Sequence, residues 1–304
     1  MSRHYQAIII GGGPAGLTAG LYTARARINT LLIEEKLPGG QITSAEQVEN
    51  YPGFPEGISG SELGQLMYQQ AINHGLETIF SKVLSLELKN KHKLITTTEG
   101  DFTAEAVVIA TGCERRKLAV PGEGKLTGRG VSYCATCDAP LFKDKVVAVV
   151  GGGNAAITEA LSLTKFVSSV KVIHRRDQLR ASKIIQERAL AEPKIEFLWD
   201  TIVTEIEGNT MVKHLKLKQL KTGEESILEI AGVFIATGLI PNTQYLKGIL
   251  SLDETGQILT DDLMQTNIDG IFAAGDIRHN SPRQVITAAG DGAIAALSVE
   301  RFLS

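Results

Sequence analysis

The chain has 304 residues, of which 43% are apolar, 21% are charged and 5% are aromatic, a composition that excludes an intrinsically disordered chain and is long enough for two ordinary domains. Its 31 basic and 34 acidic residues give a formal net charge of -3, which argues against nucleic-acid binding because there is no basic surplus to neutralise a phosphate backbone. No apolar run approaches the ~20 residues that span a membrane. The start of the chain lacks the pattern of a signal peptide, so we expect a soluble, cytoplasmic protein with no membrane partner.

The first predicted element is a strand over residues 7–10, and the glycine-rich loop Gly11–Gly16 follows it directly. An Ala-rich helix and a second strand come next, and this order is typical of the dinucleotide-binding βαβ unit. Gly11 permits the tight turn, Gly13 lets the backbone approach a pyrophosphate, and Gly16 allows the helix to lie close to the strand. Glu34 ends the second strand, where its carboxylate can accept hydrogen bonds from a ribose diol.

Two of the three cysteines, Cys134 and Cys137, form a tight CxxC pair, and Cys113 stands alone. In a reducing compartment such a pair is more often redox-active or metal-binding than structural. A structural zinc site needs four ligands at ordered spacing, and the chain has no second CxxC. We therefore expect a redox pair and no metal.

A second copy of the βαβ pattern begins with a predicted strand over 146–150, followed by the loop Gly151–Ala156, in which an alanine replaces the third glycine. The residue at the position that corresponds to Glu34 is basic, and the next positions continue the charge: His174, Arg175, Arg176 and Arg180. Guanidinium groups bind a 2′-phosphate that a carboxylate would repel. The first copy thus favours an unphosphorylated adenosine ribose, and the second favours NADPH.

Both copies end in similar strands, Val107–Gly112 and Val233–Gly238, each with an Ala-Thr-Gly terminus. One glycine loop alone is a weak signal, but two in this context with opposite ribose signatures are hard to obtain by chance. Near the C-terminus a buried strand delivers Gly275 and Asp276 to its end. By themselves these two residues would indicate only a turn.

Together these motifs resemble the low-molecular-weight, bacterial-type thioredoxin reductases over essentially the whole chain. The match is most specific in the CATCD run that contains the two paired cysteines. The other segments that carry it are Gly11–Gly16, Pro38–Gln41, Val48–Gly53, Gly151–Ala156, His174–Arg176, Gly275–Asp276 and Arg283–Gln284.

The resemblance implies an α/β protein with two Rossmann-like, three-layer domains, the NADPH domain inserted into the FAD domain. The implied boundaries are 1–116 and 247–304 for FAD and 117–246 for NADPH and the CxxC pair, with hinges at 117–122 and 238–244. The residues implied for FAD are Gly11, Gly13, Pro14, Ala15, Gly16, Glu34, Glu35, Gly40, Gln41, Asn50, Gly112, Gly275, Asp276, Arg283 and Gln284. Those implied for NADPH are Gly151, Gly153, Asn154, Ala155, Ala156, His174, Arg175, Arg176 and Arg180.

The resemblance also implies the reaction: NADPH reduces FAD, FAD reduces the Cys134–Cys137 disulfide, and the dithiol reduces thioredoxin by exchange through a mixed disulfide. Cys137 would face the flavin, Cys134 would attack thioredoxin, and Asp138 would act as acid–base group. Arg129 and Phe142 fit docking positions, although Phe142 can equally belong to the core. A homodimer is expected, with Cys113 a bystander.

Because the dithiol and the NADPH loop lie in one inserted domain and both must contact the same flavin, we expect that domain to rotate between half-reactions. Three alternatives stay open. A related flavoenzyme could reduce another redoxin, a flavodoxin or ferredoxin reductase could share the two-domain plan, and an FAD-binding sensor could use the dithiol to report thiol status. The CxxC pair counts against one-electron delivery, and a complete NADPH loop counts against a sensor.

Overall fold

A computed structural model of the chain describes residues 3–45, 47–89 and 92–304, apart from the side chain of Thr136. The chain divides into two compact units, of which the first comprises Met1–Glu114 with Ile240–Ser304 and the second Arg115–Leu239. The second unit thus interrupts the first along the sequence. Both units are built on parallel sheets with helices, so the predicted α/β fold class is confirmed.

The strands of the described chain are short to medium in length and occur throughout both units. In chain order they are β1 (Arg3–Ile10), β2 (Thr30–Glu34), β3 (Glu77–Phe80), β4 (Val83–Lys89), β5 (His92–Thr97), β6 (Gly100–Ile109), β7 (Cys113–Arg115), β8 (Val131–Ser132), β9 (Val146–Val150), β10 (Ser169–Ile173), β11 (Ile195–Leu198), β12 (Thr201–Gly208), β13 (Val212–Gln219), β14 (Glu225–Glu229), β15 (Gly232–Ile235), β16 (Leu239–Pro241) and β17 (Ile271–Ala273).

The helices lie between these strands and at the C-terminus. In chain order they are α1 (Pro14–Arg25), α2 (Gly60–Asn73), α3 (Glu123–Leu126), α4 (Ala135–Asp138), α5 (Asn154–Leu163), α6 (Lys183–Ala191) and α7 (Val285–Leu303). Short 3₁₀ turns cover Gly40–Ser44, Ala139–Phe142, Gln244–Leu246 and Gly275–Ile277.

The first unit is organised around a sheet with the strand order β3-β2-β1-β6-β5-β4, and β17 pairs with β6. Strands β1, β2, β3, β6 and β17 are parallel, whereas β5 pairs antiparallel with both of its neighbours, β4 and β6. Side chains of β1 alternate between two cores, as a strand buried on both faces requires. Ile9 packs with apolar residues of α1 and α7, while Ile8 and Ile10 pack with Leu246 and Leu250 on the other face.

The second unit repeats this plan with a parallel sheet in the order β11-β10-β9-β15-β8 and a separate antiparallel sheet, β12-β13-β14. On one face of β9, Val147 and Val149 pack with residues of α5 and α6. On the other face, Ala148 and Val150 pack with apolar residues of β12 and β13. Helices, parallel sheet and antiparallel sheet therefore form three layers, as predicted.

The chain passes between the units at residues 114/115 and 239/240, through the paired strands β7 and β16. The sequence predicts these boundaries at 116/117 and 246/247. The second differs because Leu246 is fully buried in the core of the first unit. The predicted first hinge, 117–122, lies inside the second unit, where the backbone N–H groups of Leu118 and Ala119 donate to the buried carboxylate of Glu123.

The basic run 89–93 is predicted from its charge to be a solvated loop, and residues 90 and 91 lie outside the described part of the chain. Lys89 ends β4 at the surface, but Lys93 lies in β5 and is only 6% exposed. Its ammonium group donates to the carbonyl of Glu105 at 2.7 Å and stands 5.1 Å from the ring of Phe302. Burial lowers the pKa of Lys93. The prediction fails for Lys93 because its long stem crosses apolar surface to reach a buried carbonyl.

Candidate active site

The first glycine loop connects β1 to α1 in the way that the sequence predicts. Gly11 adopts φ +106°, and a side chain there would strike the carbonyl of Ala110. Gly16 lies in the first turn of α1, where a Cβ atom would overlap the carbonyl oxygen of Gly11. Gly13 is the N-cap of α1, and Pro14 follows it at the first helical position. The tight turn and the close approach of helix and strand explain why Gly11 and Gly16 are glycines.

The space in front of Gly13 suits a diphosphate. A Cβ atom at Gly13 would have as its nearest neighbour the Cα of Gly40, 4.0 Å away, so the fold does not itself require a glycine there. The adjoining N-terminus of α1 presents unpaired N–H groups and a partial positive charge, which is the arrangement that binds phosphates. Ala15 lies in the same turn and is buried.

Glu34 stands at the end of β2 beside this loop. One of its carboxylate oxygens accepts the N–H of Gly12, and the other accepts the N–H of Lys36 at 2.7 Å. Each oxygen keeps a second lone pair, so the carboxylate can still accept a hydroxyl donor. Glu35 points elsewhere, because its carboxylate lies 3.6 Å from the ammonium of Lys82 on the exposed side of the strand.

Two further predicted segments converge on the same edge of the sheet. Gln41 donates its side-chain amide to the carbonyl of Cys113, which brings the 3₁₀ turn that begins at Gly40 next to the end of β6. At that end Gly112 adopts φ +62°, and a Cβ atom there would have no neighbour within 4 Å. Gly13 and Gly112, on either side of this edge, thus both leave room for a ligand close to the backbone.

The C-terminal segment closes this region. Gly275 adopts φ +81°, and a Cβ atom there would press on the side chain of Ala15. The N–H of Gly275 donates to the buried carboxylate of Asp291, which the guanidinium of Arg278 also binds at 2.6 and 2.9 Å. Asp276 follows Gly275 and accepts the hydroxyl of Ser281 at 3.4 Å. A buried ion pair therefore holds the turn that carries Asp276.

The remaining residues predicted for this region also meet. The side-chain amide of Asn50 donates to that of Gln284 at 3.1 Å, and Gln284 caps the first turn of α7. Arg283 adopts φ +59°, a conformation that is rare for a residue with a side chain. The structure therefore brings these predicted FAD residues together within the first unit, with Glu35 at its margin.

The second glycine loop, between β9 and α5, matches the first with one change. Gly151 adopts φ +153° and lies against the carbonyl of Ala236, and Ala156 takes the place of the third glycine. Gly153 is the N-cap of α5, and a Cβ atom there would meet nothing within 4 Å. Asn154 accepts the N–H of Ser182 through its side chain at 2.7 Å, and Ala155 follows it in the first turn.

The basic residues after β10 divide into two kinds. His174 is 5% exposed, its ring lies against Gly152 and its Nε2 is 3.1 Å from the carbonyl of Gln178. Burial lowers the pKa of His174, with the nearby Arg180, Arg176 and Arg175 charges acting in the same direction, so the ring supports the loop as a neutral group. The three guanidinium groups are exposed, and over the described residues none of them forms an ion pair.

Cys134 and Cys137 form a disulfide across the short helix α4, with their Cα atoms 5.4 Å apart. Cys134 is half-buried and Cys137 is exposed. Next to them, the hydroxyl of Ser132 donates to the carboxylate of Asp138 at 2.6 Å and accepts the N–H of Cys134 at 3.1 Å. Burial raises the pKa of Asp138, although the Ser132 hydroxyl and the charge of Arg115 oppose that effect.

The surroundings of the disulfide decide the open question about Phe142. Phe142 is 5% exposed and packs edge-to-face on Phe234 with ring centroids 5.3 Å apart, so it belongs to the core. Leu141, one residue earlier, is 55% exposed. Arg129 is exposed in the turn before β8. An exposed apolar side chain therefore does lie near the CxxC pair, but it is Leu141.

Cys113, the third cysteine, is 1% exposed, and its thiol donates to the carbonyl of Asp276 at 2.9 Å. Burial, reinforced by the charge of Asp276, raises the pKa of this thiol to about 12. It therefore stays protonated and unreactive at neutral pH. This agrees with its predicted role as a small buried residue.

Sequence reasoning missed three residues that organise these sites: Ser132, Asp291 and Leu141. Asp291 could have been noticed, because a lone carboxylate within the Ala-rich stretch of α7 requires a buried partner. Ser132 and Leu141 carry no such signal, since their roles depend on the turn that the chain makes at the disulfide.

Metal ligation and membrane insertion find no support in the described residues. No group of three or more His, Cys, Asp and Glu side chains is placed there to hold a metal ion. None of the helices described has both the length and the apolar content needed to cross a membrane.

Comparison with known proteins places these features in context. Residues 5–292 match the family model described as pyridine nucleotide-disulphide oxidoreductase. A thioredoxin reductase of Peptoclostridium acidaminophilum is 45% identical over 309 residues, which cover 100% of this chain and 98% of that protein. One of Bacillus subtilis (strain 168) is 47% identical and covers 98% and 95%. The crystal structure of thioredoxin reductase from Streptococcus pyogenes MGAS5005 has a TM-score of 0.95 at 45% identity, covering 100% and 99%.

Proposed function

This chain belongs to the pyridine nucleotide-disulphide oxidoreductase family and, within it, to the NADPH-dependent thioredoxin reductases, and from that premise we propose which of its residues perform each part of the reaction. The first unit would hold FAD through the two N-terminal loops and the turn at Gly275. The second unit would hold NADPH through the loop at Gly151 and the arginines that follow β10. When bound, FAD accepts a hydride from NADPH and passes two electrons on to a disulfide.

The glycine positions support this division. Gly13 and Gly153 lie at helix N-termini with open space in front of them, which fits a pyrophosphate in each unit. The carboxylate of Glu34 would bind the ribose at the first loop, whereas Arg175, Arg176 and Arg180 would bind the 2′-phosphate at the second. His174 would act through the loop that it supports and not as a direct phosphate ligand, because its ring is buried.

The observation that carries the proposed reaction is the Cys134–Cys137 disulfide beside the half-buried carboxyl of Asp138. Two electrons and two protons convert this disulfide into two thiols. Asp138 takes the proton of the Cys134 thiol, and the thiolate attacks the disulfide of thioredoxin, which forms a mixed disulfide and releases one thioredoxin sulfur. Asp138 returns its proton to that sulfur.

Cys137 completes the exchange. Its thiol gives up a proton and attacks Cys134 in the mixed disulfide, so the Cys134–Cys137 bond forms again. The second thioredoxin sulfur leaves and takes up that proton, so thioredoxin departs with two thiols. Arg129 and Leu141 are both exposed near the disulfide and are the side chains that we expect to contact thioredoxin. Rotation of the second unit between the half-reactions stays a prediction from the sequence.

The experiment is NADPH oxidation with a panel of oxidised acceptors: thioredoxin, a glutaredoxin-like protein and flavodoxin. We expect turnover with thioredoxin, which Cys134→Ser and Cys137→Ser should each abolish. Cys137→Ser should still capture thioredoxin through Cys134 as a mixed disulfide. Cys113→Ala is the matched control and should keep its activity, because that thiol is buried and protonated. Undiminished thioredoxin reduction by either CxxC variant would refute the residue assignment.

A homodimer is also proposed, on the evidence of one apolar face of the first unit. Helices α1, α2 and α7 border a cavity of about 320 Å³ there. Large apolar side chains are exposed on the same helices, among them Tyr22, Leu66 and Leu297. A second copy that covers them would remove this surface from water. Sedimentation velocity tests this, and Ala293→Arg at the cavity should give monomers. The cytoplasmic location stays a prediction.

A further inference from the structure

A lysine from another part of the second unit binds the carboxylate that stands among the exposed arginines. Lys221 lies in the turn between β13 and β14, and its ammonium is 2.8 Å from the carboxylate of Asp200 and 3.3 Å from that of Asp177. Asp177 directly follows Arg176 in sequence. One cation therefore holds two carboxylates beside the basic loop.

The backbone fixes this arrangement. The N–H of Asp200 donates to the carbonyl of Arg176 at 3.3 Å, and the N–H of Leu220 donates to the carbonyl of Asp200 at 2.6 Å. The basic loop, the start of β12 and the turn that carries Lys221 are thus linked by main-chain bonds. The ion pairs raise the pKa of Lys221, with the hydrogen bond that its ammonium donates to Asp200 contributing most and the one that it donates to Asp177 second, so the lysine is charged at neutral pH.

The consequence concerns the arginines. Asp177 is the acidic side chain closest in sequence to Arg175 and Arg176, and an unpaired carboxylate there would compete for their guanidinium groups and repel an incoming phosphate. In the structure its partner is Lys221, and across the described chain Arg175, Arg176 and Arg180 have no carboxylate partner. The guanidinium groups are therefore available to an external anion.

We propose that Lys221 is a specificity-determining residue for the phosphorylated coenzyme, because by holding Asp177 and Asp200 it keeps three arginines available for the adenosine 2′-phosphate. This rests on the proposed function, which places that phosphate at the basic loop. Lys221 does not need to touch the coenzyme for this effect. It changes the electrostatic environment of the residues that do.

The test uses Lys221→Met in the flavin-loaded enzyme and two probes, adenosine 2′,5′-bisphosphate and AMP, titrated by calorimetry at low salt. We expect the variant to bind the bisphosphate at least ~3-fold more weakly and AMP as before, because only the bisphosphate carries the 2′-phosphate. The KM for NADPH should rise by a similar factor, with kcat and the KM for NADH unchanged. High salt should reduce the difference.

Two further variants distinguish an electrostatic role of Lys221 from a local loss of structure in the turn that carries it. Lys221→Arg should bind both probes like the unmodified protein. Adding Asp177→Asn to Lys221→Met should recover most of the lost bisphosphate affinity, because the competing carboxylate is then gone. Equal loss for both probes, no loss at all, or no recovery in the double variant would each overturn the role of Lys221.

The proposed function is tested separately with Arg175→Gln combined with Arg176→Gln. Losing two charged hydrogen bonds should reduce the preference for NADPH over NADH at least ~10-fold. If that preference is unchanged, the phosphate binds elsewhere, and both the proposed site and the inference that depends on it are wrong. If it falls while Lys221→Met has no effect, only the inference is wrong.

Discussion

The two glycine loops of this protein share one backbone plan, and we propose that each holds a different nucleotide. In both, a strand ends at a glycine with positive φ, a second motif glycine (Gly13 or Gly153) is the N-cap with open space before it, and a helix follows. The loops differ at two places: Gly16 is replaced by Ala156, and Glu34 is replaced by a buried histidine that precedes exposed arginines. The shared part suits the pyrophosphate that both coenzymes contain. The difference in charge suits a ribose without a 2′-phosphate at the first loop and a ribose with one at the second.

The glycines within these loops differ in why each of them is needed. Gly11 and Gly16 are required by the fold itself, since any side chain would strike the backbone. Gly13 and Gly153 are not, because a Cβ atom would meet at most one atom within 4 Å. A glycine that could be replaced without strain indicates a ligand better than one that the fold itself requires.

The largest effect should come from Gly13→Val and Gly153→Val, a matched pair that tests whether each loop serves its own coenzyme. Both variants should fold, since the valine enters open space. Gly13→Val should lose FAD and with it all NADPH-driven turnover. Gly153→Val should retain FAD, while its KM for NADPH rises at least ~100-fold because the side chain occupies the place of the pyrophosphate. Flavin absorbance and steady-state kinetics measure the two outcomes.

Either of these two variants can contradict the assignment of one coenzyme to each loop. If Gly13→Val keeps its full flavin content, the first loop does not hold FAD. If Gly153→Val loses its flavin, the two loops are not independent, and the assignment of one coenzyme to each unit is wrong. Circular dichroism of both variants shows whether the fold is retained.

A smaller effect is expected from exchanging the residues that differ at the third glycine position. Gly16→Ala lies inside a helix, where alanine normally stabilises by ~1 kcal/mol relative to glycine. Here the added Cβ overlaps the carbonyl of Gly11, so we expect a loss of ~1–3 kcal/mol in the free energy of unfolding. Ala156→Gly in the second unit should lose only ~1 kcal/mol, the ordinary helix cost of glycine.

Urea denaturation of the flavin-free variants measures both changes. Gly124→Ala is the control, because that glycine is also helical and a Cβ atom there would meet nothing within 4 Å. It should be neutral or slightly stabilising. Stabilisation by Gly16→Ala would mean that helix and strand can separate slightly in the first unit, and the contrast with Ala156 would lose its steric basis.

The parts of the molecule that the sequence predicts best are those governed by local rules. The strand-glycine-helix order locates both loops, and the strand predicted at 146–150 agrees with β9, Val146–Val150. The CxxC spacing predicts the disulfide pair, since residues three apart come together across a single helical turn. The opposite charges after β2 and β10 predict different nucleotides because they act on the ligand directly.

Other features could not be predicted because they depend on contacts between distant segments. Charge alone makes His174 look like a phosphate ligand, yet its ring is buried against Gly152. The hinge predicted at 117–122 is fixed in place by Glu123, which also accepts the hydroxyl of Tyr133 at 2.7 Å. Ala119 and Gly122 both adopt positive φ, and the segment turns back so that its own N–H groups reach the Glu123 carboxylate.

The smallest effect concerns a feature that the second unit alone has among the described residues, the Cys134–Cys137 pair beside Asp138. Burial raises the pKa of this carboxyl, and the hydrogen bond from Ser132 lowers it, so Ser132→Ala should raise it further. Under the proposed mechanism Asp138 acts as a base in its carboxylate form, so thioredoxin reduction should fall as the pH drops through this pKa. Losing one hydrogen bond of ~1 kcal/mol should therefore move the acid limb of the pH–rate profile up by roughly half to one pH unit.

At high pH the variant should approach the rate of the unmodified protein, since Asp138 is then ionised in both. NADPH oxidation with ferricyanide, which does not need the dithiol, should show the same pH dependence in both proteins and serves as the control. Asp138→Asn should remove the acid limb altogether and lower the rate at least ~10-fold. An acid limb that stays in place in Ser132→Ala, or that persists in Asp138→Asn, would show that another group moves the proton. The base of the exchange reaction would then have to be another group of the second unit or a group of thioredoxin itself.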